Sequence, residues 1–345
     1  MKAVVAHGPR DLRIDERPDP SPGPGEVLLA MEWGGVCGSD IGYWKHGASG
    51  TAALRHPLVL GHEVAGRVAA LGEGVTGLEE GQPVTVHPAD PVAEGALPER
   101  LAGRTNLCPD SAYFGSAAFD PHTDGGFSEY RAVRAAQIRP LPDGVDTRQG
   151  ALAEPLGVAL HAVRRAPAVR GRTVLVNGAG PIGALVVAAA RRAGAAEVIA
   201  ADISAGALAV ARALGADRTV DVGTGEALPQ DVEVVFEATG VPAVLGPVLA
   251  ATARGGTLIQ VGNLPGTPAP SALGALVTRE ITWTGSYRFT NEIDDALRAL
   301  AEGLDLTPLI TAGYPLEEAD KALAHAADPA TSGKVMLRLD SSTSQ

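Results

Sequence analysis

Three short phrases hold one thiol, one imidazole and three carboxylates: Gly35-Val36-Cys37-Gly38-Ser39-Asp40, Leu60-Gly61-His62-Glu63-Val64-Ala65-Gly66 and Ala153-Glu154-Pro155-Leu156-Gly157. Cys37, His62, Glu63 and Glu154 form a donor set suited to zinc. Catalytic zinc takes three protein ligands and leaves a further position open. Taken singly, each residue has a plainer reading, since a buried thiol packs as a small hydrophobe. The set argues more than its members. Cys37 sits in the stretch Gly34-Gly35-Val36-Cys37-Gly38, where backbone can wrap closely around an ion. His62 and Glu63 are adjacent at a strand start, and neighbours on a strand point to opposite faces. Both reach one ion only if the chain kinks there; otherwise one of them acts from behind the other ligands.

A further phrase, Gly178-Ala179-Gly180-Pro181-Ile182-Gly183, reads as a dinucleotide-binding turn. A strand precedes it (173–177) and a helix follows (182–193), with Pro181 and Ile182 expected at the cofactor. Gly178 permits the tight turn, Gly180 the approach of a pyrophosphate, and Gly183 close helix–strand packing. The helix N-terminus adds free N–H groups and partial positive charge. Asp202 lies 19 residues beyond Gly183, at the end of the next strand, where a carboxylate binds ribose hydroxyls. It would repel a 2′-phosphate, and residues 203–207 hold no arginine, so NAD is favoured over NADP. Gly262, after the strand 257–261, is expected to face the same cofactor. A Lewis acid beside a nicotinamide points to alcohol–carbonyl redox chemistry.

These residues need elements to position them. The first part of the chain is strand-like and turn-rich, with apolar runs at 2–6, 27–33, 64–71 and 83–87. Beyond Glu154 strands and helices alternate. Helices are expected at 156–165, 182–193, 205–214 and 241–251, and strands at 173–177, 197–201, 232–237 and 257–261. That alternation implies an α/β fold with a doubly wound parallel sheet. A helix at 291–302 and a strand at 334–339 follow, and the tail is expected to rejoin the first domain. The expected division is 1–154 with 286–345, and 155–285.

With 345 residues, 45% hydrophobic and 20% charged, the chain has the composition of a globular two-domain protein. Its net charge of −12 argues against nucleic acid or an anionic membrane as partner. Two cysteines make no disulfide framework. The start lacks a signal peptide's apolar region and no run reaches transmembrane length, so a cytoplasmic location is expected.

Over nearly its whole length the chain resembles the zinc-dependent medium-chain alcohol and polyol dehydrogenases. The carriers are Cys37-Gly-Ser-Asp40, Gly61-His-Glu-Val-Ala-Gly66, Glu154-Pro-Leu-Gly-Val-Ala-Leu-His161 and the turn 178–183. Glu154 replaces the cysteine of alcohol dehydrogenases, as in the sorbitol dehydrogenase branch. Tyr113-Phe-Gly-Ser-Ala117, Pro121-His-Thr-Asp-Gly-Gly-Phe127 and Gly285-Ser-Tyr-Arg-Phe-Thr290 are similar to the L-idonate 5-dehydrogenase branch.

The resemblance implies a GroES-like catalytic domain beside a Rossmann domain. It makes Cys37, His62 and Glu63 zinc ligands, with Glu154 bound directly or through water. Ser39 would relay the proton, while Tyr43, Arg288 and Phe289 would line the substrate pocket. The implied reaction takes L-idonate to 5-keto-D-gluconate, with a neutral polyol as the alternative substrate. A homodimer or tetramer is implied; a non-catalytic redox sensor is the rival from another class. Two departures stand out. The lobe 86–108 keeps only Cys108, so one catalytic zinc and no structural zinc is expected. Gly42 stands where the family commonly has a proton-shuttling His, with His46 nearby.

Overall fold

The computed structural model describes residues 1–90, 97–328 and 333–340. The Ser/Thr tail 341–345 and the middle of the lobe 86–108 lie outside the described residues.

The N-terminal sheet is antiparallel over most of its width. Its central strand, Glu26–Gly35, pairs with Glu63–Leu71 on one side and with Lys334–Arg338 on the other. Pro83–Val86 and Ile138–Pro140 extend one edge and Ile310–Pro315 the other, while Tyr130–Arg134 pairs with the first half of Glu26–Gly35. Alternating residues Val27, Leu29 and Met31 point into one core with Val64, Val68, Leu58 and Phe127. The final strand therefore lies beside the strand that leads into Cys37, although some 300 residues separate them in sequence.

The second sheet is wholly parallel, in the order Arg218–Asp221, Glu197–Asp202, Thr173–Asn177, Val232–Glu237, Thr252–Gln260, Thr282–Gly285. Val174 and Val176 face one core and Leu175 the other, as a pleat buried on both sides requires. Helices Ala153–Arg165, Pro181–Arg192 and Ala205–Ala213 cover the first face, and Leu245–Ala251 the second. The helix expected at 241–251 is split. Pro242–Val244 form a 3₁₀ turn, and the α-helix starts at Leu245 with Pro247 in its first turn, where a missing N–H costs no bond.

Helix Glu292–Ala301 packs its apolar residues Ile293, Ala296, Leu297 and Leu300 into the core beneath the parallel sheet, against Ala153–Arg165. A boundary drawn at residue 286 thus separates it from the core it completes. Among the described residues, no helix is long and apolar enough to cross a membrane.

Candidate metal and dinucleotide site

Cys37 caps a helix, Gly38–His46, that the sequence does not announce. Asp40, one turn in and fully buried, reaches back. One carboxylate oxygen accepts the Cys37 N–H at 2.9 Å and the other the Gly61 N–H at 3.1 Å. One buried carboxylate therefore ties together the two loops that carry Cys37 and His62. Burial is the main force raising its pKa.

The kink that His62 and Glu63 require is present. Gly61 has a left-handed backbone (φ 95), His62 lies outside the strand, and Glu63 begins it. Gly35 is the cross-strand partner of Glu63, and a Cβ there would sit 2.2 Å from Glu63 Oε2. The glycine makes room for the carboxylate beside Cys37. As a result the Cys37, His62 and Glu63 donor atoms all lie within 4.8 Å of one another.

Glu63 Oε1 accepts from Lys334 Nζ at 2.7 Å, and Nζ also donates to the Val36 carbonyl at 3.1 Å. Glu63 Oε2 is buried without a partner, as is Ser39 Oγ. Glu154, 4% exposed, falls outside the three-residue group; its Oε1 accepts from the Tyr113 hydroxyl at 2.5 Å. Burial raises its pKa, opposed by His62. Burial pulls the His62 imidazole down, but the Cys37 sulfur, then Glu154 and Asp40, outweigh it and raise it to about 10. Three buried carboxylates face one buried lysine and the His62 imidazole, which leaves the centre short of positive charge. The orphaned Glu63 oxygen and the N/S/O donor set both fit a zinc ion.

Tyr113 closes the other side of this group. Its ring lies 5.7 Å from that of His62, and the Arg288 guanidinium stacks over it at 3.8 Å. Burial, then the Glu154 carboxylate, push the Tyr113 pKa well above its usual value. Two expected pocket residues are buried. Tyr43 is 2% exposed, its hydroxyl accepting the Ala117 N–H, and Phe289 is 2% exposed against the His87 ring. Gly42 has a physical cause: a Cβ there would meet the Ala48 carbonyl oxygen at 2.8 Å. His46 ends the same helix, exposed.

On the parallel sheet, Gly180 caps helix Pro181–Arg192, with Pro181 and Ile182 in its first turn. Space around Gly180 is open, whereas a Cβ on Gly183 would lie 1.8 Å from the Gly178 carbonyl oxygen. Asp202 Oδ2 accepts the Ala179 N–H at 2.6 Å, which fixes the carboxylate against the turn. Gly262 packs on Gly240, beside a buried carboxylate, Glu237, that holds the Thr239 and Gly240 N–H groups. Three buried polar atoms at the carboxyl ends of these strands have no partner: Asn177 Nδ2, Gln260 Oε1 and Ser286 Oγ. Ligands of open parallel sheets bind at this edge, so the residues present fit a dinucleotide. Sequence reasoning missed Asp40 and Tyr113 as site residues, although both stand in phrases it quoted. It also missed Lys334, which no local signal marks.

Comparison with known proteins adds the following. The Alcohol dehydrogenase GroES-like domain matches residues 23–143 and the Zinc-binding dehydrogenase domain residues 181–302. L-idonate 5-dehydrogenase (NAD(P)(+)) of Escherichia coli is 37% identical over 90% of this chain and 91% of that protein. Sorbitol dehydrogenase of Gallus gallus is 38% identical over 98% of this chain and 96% of that protein. A crystal structure of the Escherichia coli L-idonate 5-dehydrogenase superposes with a TM-score of 0.90 at 35% identity, covering 98% of this chain and 97% of that one.

Proposed function

This chain belongs to the zinc-binding medium-chain dehydrogenases that act on polyols and sugar acids, and from that premise we propose that it oxidises L-idonate to 5-keto-D-gluconate with NAD. The observation that carries the substrate choice is Arg288. Its guanidinium lies over Tyr113 beside the metal group, and among the described residues no carboxylate pairs with it. In a protein of net charge −12 an unneutralised arginine at the site is a specific cation for a substrate carboxylate.

Cys37, His62 and Glu63 would hold zinc, with Glu154 alongside. Zinc, when bound, supplies Lewis-acid polarisation of the reacting oxygen. The chain's own residues do the rest. Ser39 Oγ, buried and unpartnered, takes the substrate's hydroxyl proton toward solvent. Tyr113 holds Glu154 in place through its hydroxyl. The glycine turn and Asp202 fix the dinucleotide so that the substrate's hydride has an acceptor at hand.

Asp202 favours NAD by like-charge repulsion of a 2′-phosphate. The second reading, a neutral polyol such as sorbitol, is favoured by the 38% identity to a sorbitol dehydrogenase. Steady-state turnover of L-idonate, sorbitol and xylitol with each cofactor tests the choice. The proposal requires a higher kcat/KM for L-idonate. Arg288→Ala should lower it about ten- to hundredfold, the cost of a charge-assisted hydrogen bond, and lower polyol turnover less. A wild type that prefers sorbitol refutes it.

A further inference from the structure

Arg288 is held in a left-handed backbone conformation, φ 51. A residue with a Cβ adopts this conformation at a cost, and keeps it only where its surroundings over-determine it. Both flanks of Arg288 are pinned. Before it, Asn106 Nδ2 donates to the Tyr287 carbonyl at 2.7 Å. A carbonyl only accepts, so the amide nitrogen must face it. After it, His87 Nε2 donates to the Thr290 carbonyl at 2.7 Å while its Nδ1 accepts the Ala89 N–H at 3.3 Å. Burial lowers the His87 pKa, which keeps the ring neutral in this tautomer. Glu292 then accepts from the Thr290 N–H at 2.7 Å and from its hydroxyl at 3.0 Å.

His87 follows strand Pro83–Val86 directly, and Asn106 belongs to the turn Thr105–Leu107. Both come from the lobe whose single cysteine is Cys108. His87, Asn106 and Arg288 line one cleft.

We propose that Asn106 and His87 are positioning residues that clamp residues 287–290, setting the Arg288 guanidinium over Tyr113 to receive a substrate carboxylate. In this chain the lobe shapes substrate choice through that clamp. The proposal rests on Arg288 being the carboxylate anchor. Both act through the backbone on either side of Arg288.

The test is a double-mutant cycle on the zinc-loaded enzyme with saturating NAD. Asn106→Ala, and separately His87→Phe, which keeps a ring against Phe289, should each lower kcat/KM for L-idonate about two- to tenfold. The loss should fall mainly on KM for L-idonate, with KM for NAD and sorbitol turnover little changed. In an Arg288→Ala background the same substitutions should cost less than about twofold, because the group they position is gone. Equal fold-losses in both backgrounds, or a parallel rise in KM for NAD, would overturn the clamp. If Arg288→Ala itself harms L-idonate and sorbitol equally, the anchor reading fails. If it harms L-idonate selectively while the clamp substitutions add independently, the clamp alone fails.

Discussion

Lys334→Met isolates how far the metal centre depends on a buried cation supplied by the far end of the chain. The side chain is 2% exposed, and its ammonium bonds Glu63 Oε1 and the Val36 carbonyl. Methionine keeps the unbranched stem and removes charge and donors. Glu63 is then a fully buried carboxylate with neither oxygen paired, since Oε2 already lacks a partner. Removing one partner of such a pair costs about 3–5 kcal/mol. In zinc-free protein that loss should appear in denaturant unfolding followed by tryptophan fluorescence, in which Trp33 and Trp44 report from the N-terminal domain and Trp283 from the parallel sheet. Zinc offers the stranded carboxylate a new counter-charge, so saturating zinc should return most of the loss, and stabilise the variant more than the wild type. A zinc-free loss below about 1 kcal/mol would show that Glu63 does not need Lys334. An undiminished loss at saturating zinc would show that Glu63 does not face the ion.

Other outcomes follow from the same geometry. Purified enzyme should hold one tightly bound zinc per chain by metal analysis, and Cys37→Ser should remove metal and turnover together; two zinc ions per chain would contradict the single donor set. Asp202→Ala should narrow the ratio of kcat/KM for NAD over NADP, and a wild type that prefers NADP would refute the role given to Asp202. Glu292 is lowered from 4.5 to about 2, the cost of burial being outweighed by bonds from His161 and Thr290. A depressed carboxylate stabilises fully above its unfolded pKa, so this contribution is complete above pH 4.5 and is lost as pH falls toward 2. Glu292→Gln should therefore flatten acid unfolding curves in that window and lower stability at neutral pH. Gly42→His, which restores the family's usual residue, should lower the thermal midpoint without raising turnover, because its Cβ meets the Ala48 carbonyl oxygen.

Much of the fold was legible because its signals are local. The strands Thr173–Asn177 and Val232–Glu237 fall where their apolar runs lie, each bounded by glycine or charge. Other elements left weak signals. Among the described residues, Asp11–Glu16 is a polar edge strand that pairs only with Lys2–Gly8, and Ile310–Pro315 becomes a strand by lying parallel to Lys334–Arg338. Helix Gly38–His46 was hidden by its glycines, which lower helix propensity; Asp40 and the cap at Cys37 hold it instead.

The sequence by itself determined the chemical class, a zinc-binding dehydrogenase with a dinucleotide cofactor. It named the donors Cys37, His62, Glu63 and Glu154, the glycine turn at 178–183 and the carboxylate at Asp202, because residue type and short spacing carry that information. Tertiary structure decided what stands around them. It placed Lys334 on Glu63, Tyr113 between Glu154 and Arg288, and Tyr43 and Phe289 in the core. Each of these pairings joins residues tens to hundreds of positions apart, and each depends on which strand lies beside which. Local propensity cannot encode that, since sheet order and burial are fixed only when the whole core closes.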